Sequence, residues 1–150
     1  MKQADDARLA ALVAEQWRRR GVAVDASDAE RQAARCALFK DRCATVVELA
    51  DWLEMYVVPV APSEQDLAIH LTDAVRPALR ALRDRLASID WDKATIAQAM
   101  KQVLGEHQLK MPQLAPALRV LVCGRTQTPS IDAVLALFPR EVVLHRLRSI

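Results

Sequence analysis

The sequence predicts an all-α protein, and three observations predict it. Glycine occurs three times in 150 residues, while Ala, Leu, Arg and Glu, which lose little on entering a helix, are abundant. Apolar residues recur three and four apart over most of the chain, the period of a helix with one buried face. The nearest approach to a strand, Tyr56-Val57-Val58-Pro59-Val60, contains a proline that removes a ladder donor, so it reads as an extended linker. A hydrophobic content of 52% is ample for a buried core in a chain of this length.

Each element follows from its own signals. Asp5 or Asp6 can cap a first helix that carries Leu9, Leu12, Val13 and Trp17 on one face and stops at Gly21. Arg18, Arg19 and Arg20 suit the negative end of its macrodipole better than they suit an RNA contact. Ser27 or Asp28 opens a second helix through Leu38. Thr45, with Glu48 three residues on, makes a capping box for a third helix from Thr45 to Tyr56, with Val46, Leu49, Trp52 and Leu53 turned inward. Pro59 and Pro62 forbid a helix over 57–63, and the boundary between two subdomains, 1–61 and 62–150, falls there. Helices follow near 64–72, near 73–88 with Pro77 early in its length, and near 92–107 with Ile96, Met100, Val103 and Leu104. Pro116 to Cys123 forms the next helix and Gly124 takes its left-handed cap. Thr128 caps the one after, with Pro129 in the first turn. No internal repeat or low-complexity tract appears.

Composition excludes several classes. No run approaches the roughly 18 apolar residues of a membrane span, and no charged start leads into an apolar core and cleavage site, so a soluble, cytoplasmic chain is expected. Cys36, Cys43 and Cys123 are an odd number without paired spacing, which suits a reducing compartment and buried thiols. His70, His107 and His145 lack a second ligand three or four residues away, so no zinc site is expected. No nucleophile-and-base arrangement stands out. Trp17, Trp52 and Trp91 occupy helical or capping positions and are read as core. Net charge is +2, but it is uneven: residues 1–61 hold nine Lys and Arg against ten acids, and 62–150 hold twelve against nine. Within 110–150 the tally is six against two, which puts the attractive potential for phosphate at the C-terminal end.

Two stretches carry a family resemblance. The first runs from Leu109-Lys110-Met111-Pro112-Gln113-Leu114 through Pro116-Ala117-Leu118-Arg119-Val120-Leu121-Val122-Cys123-Gly124 to Thr128-Pro129 and Val134-Leu135-Ala136-Leu137-Phe138. The second is Ala37-Leu38-Phe39-Lys40-Asp41-Arg42-Cys43-Ala44-Thr45-Val46-Val47-Glu48-Leu49. In order and spacing they resemble the C-terminal anticodon-binding region of bacterial glutamyl-tRNA synthetases, class I aminoacyl-tRNA synthetases. The resemblance covers nearly the whole chain and is looser between Val57 and Leu109. The family's catalytic half carries His-x-Gly-His and Lys-Met-Ser-Lys-Ser motifs that hold ATP, and neither occurs here. Lys110-Met111-Pro112 lacks the Ser and second Lys of the latter.

The resemblance implies a two-part helical cage with the anticodon loop across both parts, no catalysis and no cofactor of this fragment's own. The parent protein would join glutamate to its tRNA with ATP and magnesium. The implied partners are tRNA for glutamate and the parent catalytic domain; the chain would be a monomer and touch no membrane. The matching Arg42 would touch the third anticodon base. Its guanidinium offers only donors, which suit O2 and N3 of cytosine and oppose the N1–H and N2–H groups of guanine. Because anticodons for Glu end in C and those for Gln end in G, a discriminating enzyme is implied. An unpaired edge in a dry pocket costs about 1–3 kcal/mol. Without the resemblance, Arg42 reads as a surface ion pair with Asp41 or Glu48.

Arg119 would contact the first or second base, and its planar head can also stack on one. Alone, it reads equally well as a side chain snorkelling between Leu118 and Val120. Thr128, Pro129, Ser130 and Ile131 would line the pocket for the first two bases, in part through backbone N–H groups at a helix start. The pattern departs from the family at Cys123, where Thr is common, at Ser130, where Gly is usual, and at Asp132, where an apolar or aromatic residue is frequent. The Asp132 carboxylate would repel phosphate and would not stack on a base. Arg76, Arg80, Arg83 and Arg85 lie mainly on one side of a helix and read as a solvated face. A helical protein-interaction module that binds no RNA is the alternative from another class.

Overall fold

The computed structural model describes residues 5–22 and 29–148. Among them are nine α-helices and no strand: α1 (Asp6–Arg19), α2 (Ala29–Phe39), α3 (Val46–Leu53), α4 (Glu64–His70), α5 (Val75–Leu86), α6 (Lys93–His107), α7 (Met111–Cys123), α8 (Ile131–Ala136) and α9 (Arg140–Arg146). The all-α expectation holds. The chain divides after Pro59 into two compact units.

The first unit packs α1 against α2 and α3. Asp5 caps α1 by accepting from the Ala7 backbone, and Gly21 leaves the helix with φ +79°. The expected start of α2 at Ser27 or Asp28 lies outside the described residues. Thr45 caps α3 through the Glu48 backbone N–H at 3.1 Å, and Glu48 answers by accepting from the Ala44 N–H at 3.1 Å, one residue before the usual capping-box partner. The α-helix ends at Leu53 and a 3-10 turn, Glu54–Tyr56, completes the expected span. Leu9, Val13 and Trp17 meet Leu49, Ala50 and Leu53 in the core, where the Trp17 indole donates to the Ala50 carbonyl at 3.1 Å.

Arg35 is only 1% exposed, a position no sequence period announced. It donates to Gln32 Oε1 at 3.2 Å and lies 4.3 Å over the Tyr56 ring. That ring meets Phe39 edge-on, and Phe39 packs against the Trp52 ring. The cation thus sits on a π-face.

In the second unit α5 packs on α6, α7 and α9, while α4 covers α7 and α8 lies on α6. Ser63 caps α4 and Asp92 caps α6, the latter accepting from the Thr95 backbone at 2.8 Å and its hydroxyl at 2.9 Å. These two bonds hold the Asp92 carboxyl below its ordinary range. Pro77 stands in the first turn of α5, where its missing donor costs nothing.

Helix α7 differs from expectation. It begins at Met111 and runs through Pro116. Gln113 Oε1 takes the Lys110 backbone N–H at 2.9 Å, and burial of Leu114 and Ala115 secures the added turn. Gly124 ends it with φ +68°, and a Cβ there would stand 3.2 Å from Val60 Cβ. The left-handed φ favours glycine, and a side chain there would also press on Val60.

The arginines expected on a solvated face of α5 diverge. Arg83 donates to the Leu147 carbonyl and neighbours Asp84, while Arg85 bonds Gln102 and Glu106. Cys36, Cys43 and Cys123 are buried, as expected. Burial pushes the Cys36 and Cys123 thiols up to about 12.

Candidate nucleic-acid interface

A groove of about 640 Å³ opens in the second unit where α6, α7 and the turn into α8 converge. Its walls are mainly apolar: Met100 from α6, then Met111, Pro112, Ala115 and Pro116 along one side of α7, with Ile131 at the start of α8. The polar groups that reach it are few. Arg119 comes from α7, Lys101 from α6, and Thr126, Gln127, Ser130 and Asp132 from the turn and α8.

Arg119 is half-buried because it follows Leu118 and precedes Val120, both fully packed. Its Nε donates to the Thr128 hydroxyl at 2.9 Å. The Thr128 hydroxyl donates in turn to the Pro129 carbonyl at 2.7 Å, and Thr128 itself is 6% exposed. One nitrogen of the guanidinium is therefore anchored to a buried oxygen that cannot swing away. Neither terminal nitrogen of Arg119 has a hydrogen-bond or ion-pair partner among the described residues. The anchored side chain presents a fork of donors beside an apolar wall, an arrangement that fits an acceptor-bearing planar ring.

The structure corrects the role expected of Thr128 as a helix cap. Helix α8 begins at Ile131, with Ser130 at the cap position and no side-chain cap bond from it. Thr128 stands two residues before that cap, and its hydroxyl bonds Arg119 and the Pro129 carbonyl. Thr128, Pro129 and Ile131 are buried, and of these residues Ser130 and Ile131 line the groove. Five of the six expected residues, Arg119, Thr128, Pro129, Ser130 and Ile131, thus gather in this one region.

Arg42 belongs to the first unit. It ends the 3-10 turn Lys40–Arg42 that follows α2, with an exposed side chain, and Cys43 after it is extended. Beside it Lys40 bonds Asp6 at 2.9 Å, which raises the lysine pKa.

Sequence reading missed Lys101, Met111, Pro112 and Gln127 as groove residues. Helical period showed Met100 to be inward and hence Lys101 to lie off the buried face, but only tertiary packing brings α6 against the turn before α8.

Other cations nearby have structural work. Arg146 donates to the Val122 carbonyl at 2.6 Å and lies 5.0 Å over the Phe138 ring, and burial lowers its pKa. Arg140 donates to the Ile89 carbonyl and faces Trp91, whose indole reaches the Phe138 carbonyl at 2.7 Å. Among the described residues no group of three His, Cys, Asp or Glu could hold a metal ion, and no helix is long and apolar enough to cross a membrane.

Residues 8–150 match the family described as the anticodon binding domain. The chain is 60% identical over 151 residues to the glutamate–tRNA ligase of Leptothrix cholodnii, covering 100% of this chain and 32% of that protein. It is 53% identical over 148 residues to that of a Polaromonas species, covering 99% and 31%. The chain thus spans about a third of the length of these curated relatives. Among solved structures, a glutamate tRNA ligase from Elizabethkingia meningosepticum in complex with its amino acid superposes with TM-score 0.85 at 14% identity, over 97% of this chain and 29% of that one. A glutamate-tRNA synthetase from Elizabethkingia anophelis gives 0.80 at 15%, over 98% and 28%. These last two likenesses establish the fold.

Proposed function

The chain belongs to the anticodon-binding domain family, and from that premise we propose that it reads the anticodon loop of tRNA for glutamate, one chain to one tRNA, in the cytoplasm. The protein that contains it would attach glutamate to that tRNA through a separate catalytic domain. ATP and magnesium belong to that domain, and no residue of this chain is assigned to them.

The observation that carries this reading is the Arg119 guanidinium, held through Nε by the buried Thr128 hydroxyl with its terminal donors turned to an apolar groove. Unpaired loop bases are read at their edges and packed on their faces, and the groove supplies partners for both. Ser130 and Ile131 would touch the base directly. Thr128 and Pro129 would hold the wall in place from below. Arg42, exposed at the end of its turn, would take the third anticodon base and favour cytosine over guanine, since its donors meet acceptors on one and donors on the other.

Anticodon stem-loops that differ only at the third anticodon base test the proposal directly. Fluorescence anisotropy should show tighter binding of the loop ending in C, by about tenfold, and weaker binding of both loops as salt rises. Equal binding of the two loops, unchanged by Arg42→Gln, removes the discriminating role. No salt-dependent binding of either removes the whole reading.

A further inference from the structure

The groove that holds Arg119 also holds a carboxylate whose placement the cation does not explain. Asp132 is half-buried at the second position of α8 and lines the same cavity. Its Oδ1 accepts from the Ser130 hydroxyl and from the Ala133 backbone N–H at 2.8 Å. Two donors occupy the two lone pairs of that oxygen and fix the rotation of the carboxylate. Its Oδ2 has no partner among the described residues, and neither Arg119 nor Lys101 forms an ion pair with it although both line the groove.

The cavity therefore presents two polarities: a fork of unpaired donors on Arg119 and one unpaired acceptor on Asp132. A phosphate satisfies only the first and meets a like charge at the second. A ring with apolar faces and an edge that carries a lone pair beside an N–H satisfies both, with Met100, Met111 and the rings of Pro112 and Pro116 against its faces.

We infer that Asp132 is a base-reading residue: its Oδ2 accepts an N–H from the pairing edge of the same unpaired base whose acceptor atom takes Arg119. The inference rests on the anticodon reading proposed above and adds a second, opposite test of the base. Arg119 alone would accept any lone pair, phosphate oxygens included. Asp132 rejects a base that turns a lone pair toward Oδ2, because two acceptors then face each other. Because Oδ1 is already filled, Asp132 reads one N–H and not two.

Loops in which each of the first two anticodon bases is varied through A, C, G and U, titrated into the chain and into Asp132→Asn, decide the matter. Asparagine keeps the oxygen that serves Ser130 and Ala133 and replaces Oδ2 by an amide donor. At one of the two positions the variant should lose about tenfold for the base the wild-type chain prefers. It should shift there toward a base that offers a lone pair, with its ranking at the other position kept. Wild-type ranking at both positions in Asp132→Asn overturns the inference while leaving anticodon reading intact. A uniform loss for every loop, with a parallel drop in melting temperature, also overturns it and makes Asp132 a support of the α8 turn. A wild-type chain that does not distinguish the loops at all overturns the anticodon reading, and the role of Asp132 with it.

Discussion

In the first unit Arg20 bridges to Asp51 at 2.7 Å and Glu54 at 3.1 Å, Arg19 reaches Glu15, and Lys40 pairs with Asp6. In the second, Arg85 pairs with Glu106 and Arg83 with Asp84, but Arg83, Arg140 and Arg146 also donate to main-chain carbonyls of Leu147, Ile89 and Val122, with Arg140 and Arg146 lying over rings. Acids neutralise a cation, whereas a carbonyl dipole only positions it. Twelve Lys and Arg stand against nine acids in residues 60–150, whereas nine stand against ten in the first unit. On the anticodon reading proposed above, arginines that carbonyls hold without neutralising leave this unit a field that attracts phosphate.

Six substitutions, in four tests, bear on this contrast. The largest effect is expected from Phe138→Ala, which empties a fully buried site and removes the ring under Arg146. A loss of about 3–5 kcal/mol should show in chemical denaturation, with loop binding abolished. An unchanged midpoint would mean that the packing of Phe138 does not support the unit.

Next comes Arg119→Ala against Arg20→Ala. The former should cost about tenfold or more in loop affinity while leaving the slope of log affinity on log salt unaltered, as expected of a base contact. The latter removes charge from an acid-paired site, should cost up to about 1 kcal/mol of stability, and should leave loop binding alone. A fall in the salt slope of Arg119→Ala by about 0.7 would make that arginine a phosphate contact instead.

Thr128→Val, which keeps shape and removes the hydroxyl, should weaken loop binding by several-fold, less than Arg119→Ala does. Arg119→Lys should be no better than Thr128→Val, since lysine has no Nε–H fork to anchor. Titration of the two variants side by side checks this.

The smallest effect concerns the cap of α6. Because the folded pKa of Asp92 lies below its unfolded value, the bond to Thr95 contributes stability above the unfolded pKa. That contribution is lost as pH falls toward the folded one. Melting curves of Asp92→Asn should be lower than wild type near neutral pH and converge with it in acid. Parallel curves at every pH would show that the carboxylate charge is not what Thr95 needs.

Much of the scaffold was legible in local sequence. Asp5, one of two candidates, and Thr45 cap where their spacing places a cap, and Gly124 takes the left-handed turn, because caps and turns depend on neighbours three residues away. The start of α7 was harder. Pro116 reads locally as a beginning, and only the Gln113 bond and the buried Leu114 carry the helix back past it to Met111. The site was partly legible. The region from Arg119 to Ile131 stood out, but the work of Thr128 did not, since an Arg nine residues upstream claims its hydroxyl. Nor did the contribution of Lys101, which reaches the groove through the packing of α8 on α6. Arg35 shows the same limit: no periodicity marks a cation as core when the ring that receives it lies 21 residues away at Tyr56.

Pro112 and Pro116 stand one helical turn apart along the groove. Each ring restricts its own backbone, and Pro116 offers no N–H to the carbonyl of Pro112. A wall made this way has few alternative conformations to surrender when something enters. On the anticodon reading, the entropy lost on association then falls chiefly on the RNA, so a hairpin already ordered before it arrives should be captured more firmly than a floppy one with the same letters.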